Sequence, residues 1–266
     1  MSTTRYALTG TLFRFFFASG VLLLLWQLIV WSGVPRYMLP APLAVLKTLL
    51  ERADLLSQHA MVTIVEILSG FIGGTLLGLS TALLLARWRF LRSAILPLLL
   101  LTQAIPVFAI APLLVLWFGY GPGSKGIMAA LIIYFPVAST CYDGLRQTPQ
   151  GWLDLARTMG ATPRSRLLRI QLPAALPSLA SGLRMAATAA PIGAVIGEWV
   201  GSSAGLGYLM LQANGRMQTD LMFAALAVLV AITVTLYFTV DALCRALMPW
   251  QQDRLHPTAS IHGEGA

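Results

Sequence analysis

Residues 61–86 read MVTIVEILSGFIGGTLLGLSTALLLA, and Glu66 is the one charged side chain in the stretch. A helix needs about 20 mostly apolar residues to cross a bilayer core. The stretch therefore predicts a membrane span. Its glycines Gly70, Gly74 and Gly78 recur every four residues, a small-residue face that lets helix backbones approach closely. Working outward, five more segments qualify: 13–31, 93–118, 126–142, 176–200 and 221–247. The first could be mistaken for a signal peptide. Its apolar run is long for one, and no small-x-small cleavage site follows, so it reads as a retained helix.

Composition points the same way. The chain has 266 residues, of which 11% are charged, against about 25% in soluble domains. The hydrophobic share is 57% and the mean hydropathy +0.76. So few charges cannot cover a soluble surface. Disordered, collagen-like and disulfide-rich classes are excluded too. The expectation is an all-α polytopic membrane protein with six transmembrane helices. Residues 1–12 form a cytoplasmic N-terminus, 13–250 the membrane domain and 251–266 a polar, disordered tail.

The net charge of +8 takes its meaning from placement. With the N-terminus in the cytoplasm, twelve arginines fall inside: Arg5, Arg14, Arg87, Arg89, Arg92, Arg146, Arg157, Arg164, Arg166, Arg169, Arg245 and Arg254. Arg36, Lys47, Arg52, Lys125 and Arg216 fall outside, and Arg184 lies in a span. Cytoplasmic loops carry the excess of Lys and Arg, so both termini are expected inside a bacterial inner membrane. The charge is not a nucleic-acid footprint. Cys141 and Cys244 sit near inner helix ends on the reducing side, which argues against a disulfide, and two cysteines carry no metal-site spacing.

The segment 143–173 has its own helix punctuation. Thr148-Pro149 predicts an N-cap with proline at the first helical position. Trp152, Leu155, Ala156 and Met159 then make an apolar stripe at i, i+3, i+4 and i+7. Gly160 stands where a left-handed C-cap belongs. Thr162-Pro163 starts a second helix carrying Arg164, Arg166 and Arg169, and Leu172-Pro173 closes the unit. Composition alone leaves a loop lying on anionic headgroups as an equal reading. A DNA-binding helix-turn-helix is disfavoured because spans leave both ends.

Asp154-Leu155-Ala156, three residues, Gly160, nine residues and Ile170-Gln171-Leu172-Pro173 resemble the EAA loop of bacterial ABC importer permeases. Asp154 stands for the usual Glu, and Leu155 for the middle Ala. Pro106, Pro112-Leu113, Trp117-Phe118-Gly119, Gly182-Leu183-Arg184 and Gly205-Leu206-Gly207-Tyr208 resemble the nitrate/sulfonate/taurine subfamily. Residues 191–201 and 217–223 are similar to permeases for pyrimidine precursors of thiamine. The resemblance implies a type I importer permease fold and a homodimer. It implies two copies of a separate ABC ATPase and a periplasmic solute-binding protein. It places docking on Trp152, Asp154, Leu155, Ala156, Gly160, Ala161, Arg164, Arg166, Ile170, Leu172 and Pro173. The solute is expected to be a hydroxymethylpyrimidine-type precursor, or sulfonate, taurine or nitrate. No catalytic residue, metal or cofactor is expected on this chain. Residues 119–126 come nearest to a P-loop, but Ser124 replaces the second glycine and Gly126 the hydroxyl residue. ATP therefore belongs to the partner.

Ionisable groups in spans invite a functional role: Glu66, Arg184, Glu198 and Asp241, the last within reach of Arg245 one turn on. Gln103, Pro106, Tyr134, Ser139, Arg184, Thr188 and Glu198 are candidates for lining the solute path, with a structural or gating role favoured for Glu198. His59 reads as a solvated loop residue. Residues 201–207 predict a turn into a short interfacial helix ending near Gln212 or Asn214. The alternative, an ion-coupled secondary transporter, predicts uptake without ATP and often carries inverted repeats, which are not visible, and a membrane scaffold would move no solute.

Overall fold

The computed structural model describes residues 17 and 20–250. Arg5, Arg14, Arg254 and the tail expected to be disordered lie outside the described residues. Among the described residues every regular element is a helix. In chain order they are α1 (Gly20–Trp31), α2 (Pro42–Glu51), α3 (Ala53–Arg87), α4 (Arg89–Ala104), α5 (Val107–Phe118), α6 (Pro122–Arg146) and α7 (Gln150–Thr158). Then come α8 (Pro163–Arg166), a π turn (Leu167–Gln171), α9 (Leu172–Gly201), α10 (Leu206–Gly215) and α11 (Thr219–Leu247).

Among the described residues four helices are long and apolar enough to cross a membrane: α3, α6, the continuous Pro163–Gly201 stretch and α11. The apolar helices α1 and α5 are shorter. The expected third span, 93–118, is divided between α4 and α5. Ile105 takes an extended backbone, φ −92° and ψ 117°, because the ring of Pro106 crowds the helical conformation of the residue before it. Pro97, Pro112 and Pro136 stay inside helices.

Two further expectations are corrected at the 143–173 segment. Thr148 does not cap the following helix. Its hydroxyl donates to the Leu145 carbonyl at 3.1 Å, closing the end of α6, and Pro149 becomes the N-cap of α7. Leu172-Pro173 does not end a helix either. The chain runs on from α8 through the π turn into α9. A proline ring clashes with the carbonyl four residues back, and the widened turn lies immediately before Pro173.

Contacts group the chain into two compact units. The first takes the described part of Met1–Gly70, with Val107–Ala129 and Ala190–Thr233. Here Gly70 and Gly193 both abut Ala129 of α6, and a Cβ on Gly197 would come within 3.2 Å of the Lys125 backbone. The second takes Phe71–Pro106, Ala130–Ala189 and the described part of Val234–Ala266. A Cβ on Gly74 would meet that of Ile133 at 2.8 Å, and one on Gly78 that of Val137 at 3.0 Å. A Cβ on Gly182 would overlap the Thr140 hydroxyl and come within 2.9 Å of the Pro136 carbonyl. Its core includes Ala180, Ala187, Val240, Cys244 and Met248. The glycine stripes are thus spent on packing within the chain. Leu22, Leu24 and Leu28 of α1, and Val230, Val234 and Phe238 of α11, are exposed, as residues facing hydrocarbon would be.

Candidate functional site

The second unit carries α7. Leu153 and Ala156 are buried and anchor the helix, while Trp152, Leu155 and Met159 are exposed at 56%, 63% and 78%. The expected four-residue stripe is therefore divided. Ala156 turns inward, and three large apolar side chains point away from their own fold. The end of α7 is a Schellman motif. The Ala161 N–H donates to the Ala156 carbonyl at 2.9 Å and the Gly160 N–H to the Arg157 carbonyl at 3.0 Å. Gly160 adopts φ +77°, which costs a side-chain-bearing residue about 1–2 kcal/mol. Asp154 pairs with Arg157 at 2.6 Å on the surface, a bond of little stabilising weight. Thr162 caps α8 as expected, its hydroxyl accepting the Ser165 N–H at 3.2 Å. Arg164 and Pro173 are exposed, and Arg166, Ile170 and Leu172 are half-buried.

The same unit holds a charged triad. Arg184 donates to Asp241 at 2.6 Å and Arg245 to its other oxygen at 2.5 Å. One carboxylate thus faces two guanidiniums across α9 and α11. Asp241 pairs with Arg245 as expected; Arg184 is held by Asp241 and does not stand alone. Among the path candidates, the Tyr134 hydroxyl reaches Thr81 at 3.3 Å. Ser139 and Thr188 bond to carbonyls of their own helices, Pro136 at 3.4 Å and Met185 at 2.8 Å. Pro106 is exposed at the α4–α5 break. Gln103 lies on α4, and its side chain is outside the described set.

The first unit contains a polar clamp that sequence reasoning saw only in fragments. His59, Thr63 and Glu66 share one face of α3, at i, i+4 and i+7. Lys125 of α6 is buried and donates to Glu66 at 2.8 Å and to Ser202 at 2.6 Å. Glu198, 1% exposed, accepts from Thr63 at 2.6 Å, from the Gly207 N–H at 2.5 Å and from the Tyr208 N–H at 3.3 Å. The Leu206 N–H donates to Thr63 at 2.8 Å, and the Gly205 N–H to His59 Nδ1 at 3.0 Å. The first N–H groups of a helix have no partner within it, and a carboxylate there is favoured by the macrodipole. The clamp meets both conditions for α10. Gly205 adopts φ +115°, and any Cβ there would overlap the Glu198 carboxylate.

Two sequence expectations are corrected here. Lys125, expected in an outer loop, is a buried ion-pair partner. His59, expected in a solvated loop, is a half-buried helical residue stacked on Tyr208. The available signal was arithmetic: three carboxylates predicted inside spans against the single Arg184 demand a further cation, and Lys125 is adjacent to the span start at Gly126. Glu198 is held by donors of its own chain. Glu198 belongs to the first unit; Tyr134, Ser139, Arg184 and Thr188 belong to the second.

Comparison with known proteins fits this arrangement. Residues 74–252 match the family described as "Binding-protein-dependent transport system inner membrane component". A probable ABC transporter permease protein of Haemophilus influenzae is 60% identical over 84% of this chain and 92% of its own length. The riboflavin transport system permease protein RibX of Chloroflexus aurantiacus is 38% identical over 87% of each chain. The formylaminopyrimidine transport permease protein ThiX of Halalkalibacterium halodurans is 33% identical over 95% of this chain and 99% of its own. An inward-facing structure of the MetNI methionine ABC transporter shares the fold, with a TM-score of 0.65 at 22% identity, over 74% of this chain and 98% of that one. The chain belongs to the binding-protein-dependent transport system inner membrane components and is the permease subunit of an ABC importer.

Proposed function

We propose that the permease works as a homodimer, bound by two copies of a separate ATPase, and imports a small polar solute handed over by a periplasmic binding protein. Both termini face the cytoplasm. The observation that carries this reading is α7. Three large apolar side chains face outward from a helix whose other face is anchored and whose end is locked at Gly160. An unpartnered apolar helix face is suited to a groove on another protein. Closure of the ATPase pair would move α7, and the continuous α8–α9 stretch carries that displacement into a membrane helix.

The solute favoured is a pyrimidine precursor of thiamine. RibX and ThiX are named for riboflavin and for formylaminopyrimidine, and both compounds contain a pyrimidine ring. Tyr134, Ser139 and Thr188 are the side chains proposed to meet it. The test is uptake into proteoliposomes containing the permease, its ATPase and its binding protein. ATP-dependent accumulation of hydroxymethylpyrimidine, uncompeted by excess taurine or nitrate, is expected. Accumulation of taurine or nitrate with none of the pyrimidine would overturn the solute. Uptake that ignores ATP would overturn the coupling.

A further inference from the structure

Two adjoining cavities of about 320 Å³ each open in the second unit, where the ends of α3, α4 and α6 meet α7 and α8. The first is lined by Arg92, Tyr142, Arg146 and Gln150, the second by Arg87, Arg157 and Arg166. Ala86, Leu153 and Gln171 line both. Among the described residues no carboxylate lines either cavity. Arg157 is engaged by Asp154, but Arg87, Arg92, Arg146 and Arg166 form no ion pair among the described residues. Arg92 and Arg146 lie 5.9 and 5.7 Å from the centre of the same Tyr142 ring. Like charges gathered on one ring repel, so an anion between them is favoured. Tyr142 is 3% exposed, and its buried hydroxyl has no hydrogen-bond partner among the described residues. An unmet buried donor costs about 1–3 kcal/mol, which an acceptor in the cavity would relieve.

We infer that these cavities bind a phosphoryl anion, held by the Arg92–Arg146 pair and the Tyr142 hydroxyl, with Arg87 and Arg166 flanking it. Guanidinium forks match phosphate oxygens in pairs, which makes arginine the fitting residue for this chemistry. The position at inner helix ends fits an anionic phospholipid headgroup; a free phosphate or nucleotide offers the same chemistry from the aqueous side. The inference is independent of the solute. Leu153, the inward anchor of α7, forms a wall of both cavities, so occupancy braces that helix.

The test uses the full permease–ATPase complex. Native mass spectrometry after delipidation and readdition of phosphatidylglycerol or phosphatidylcholine measures retained lipid, and a parallel titration uses inorganic phosphate and ATP on a complex whose ATPase nucleotide sites are disabled by substitution of their phosphate-binding lysines. Retention of phosphatidylglycerol over phosphatidylcholine is expected, falling about tenfold or more in Arg92→Gln/Arg146→Gln. Tyr142→Phe removes one hydroxyl without touching the charges and is expected to lower retention about threefold. It serves where the double variant does not assemble. Binding of phosphate or ATP that is lost in the same variants supports the site with a soluble ligand. Equal retention of the two lipids together with no phosphate or ATP binding overturns the proposal. So does anion binding unchanged in both variants, or Arg92 and Arg146 found paired with acidic residues of the ATPase.

Discussion

Lys125→Met is expected to lower the stability of the permease by about 3–5 kcal/mol, because it strands the Glu66 carboxylate in a buried site. The pair lies 2.8 Å apart with side chains 9% and 5% exposed, so water cannot take over the lost partner. The damage extends beyond one bond. Lys125 also holds Ser202, in the turn that leads α9 into α10. For a chain of this size, the apparent melting temperature in detergent should fall by on the order of 10 °C. Replacing both members, Glu66→Gln with Lys125→Met, removes the charge as well as its partner and should recover most of that loss. Buried pairs exchanged for neutral side chains are often close to neutral. A double variant as unstable as the single one would show that the two residues do not act as a pair.

The second large effect is functional. Trp152→Ser/Leu155→Ser leaves the buried anchors Leu153 and Ala156 and the Schellman closure at Gly160 untouched. The chain should insert and melt within about 0.5 kcal/mol of the parent, the usual scale for surface substitutions. Association with the ATPase should weaken by about 3 kcal/mol or more, since each side chain buries apolar surface worth about 1.5–3 kcal/mol on docking. That corresponds to at least a hundredfold loss in affinity and an equivalent loss of ATP-dependent uptake. Normal co-purification and transport by this variant would remove α7 as the docking element.

The membrane helices were legible because hydropathy needs no knowledge of partners. α3, α6, α9 and α11 each cover a stretch marked apolar in the sequence, with ends displaced by capping chemistry. The division at Ile105 was less visible. A proline within an apolar run is compatible with a kink or a break, and only the surrounding contacts decide. The 143–173 segment was legible in type and misread in detail. Gly160 takes the left-handed turn its position required, yet Thr148 chose the carbonyl behind it over the N–H groups ahead. Whether a threonine closes one helix or opens the next depends on which backbone groups are left without partners. The clamp was least legible. Glu66, Lys125 and Glu198 lie on three helices far apart in sequence, and single-chain periodicity says nothing about which buried charges meet. The Arg184–Asp241 contact was hidden for the same reason, whereas Asp241–Arg245 was readable because it lies one turn along a single helix.

The exposed face of α7 is predicted to receive the ATPase. The most direct measurement places the photo-crosslinking residue p-benzoylphenylalanine at single positions of the permease in the assembled transporter. Positions 152 and 155 test the claim, and position 238, an exposed apolar site on α11, is the control. Irradiation should join the permease to the ATPase from 152 and 155 and leave 238 without that product. An ATPase adduct from 238, with none from 152 or 155, would show that α7 is not the docking element.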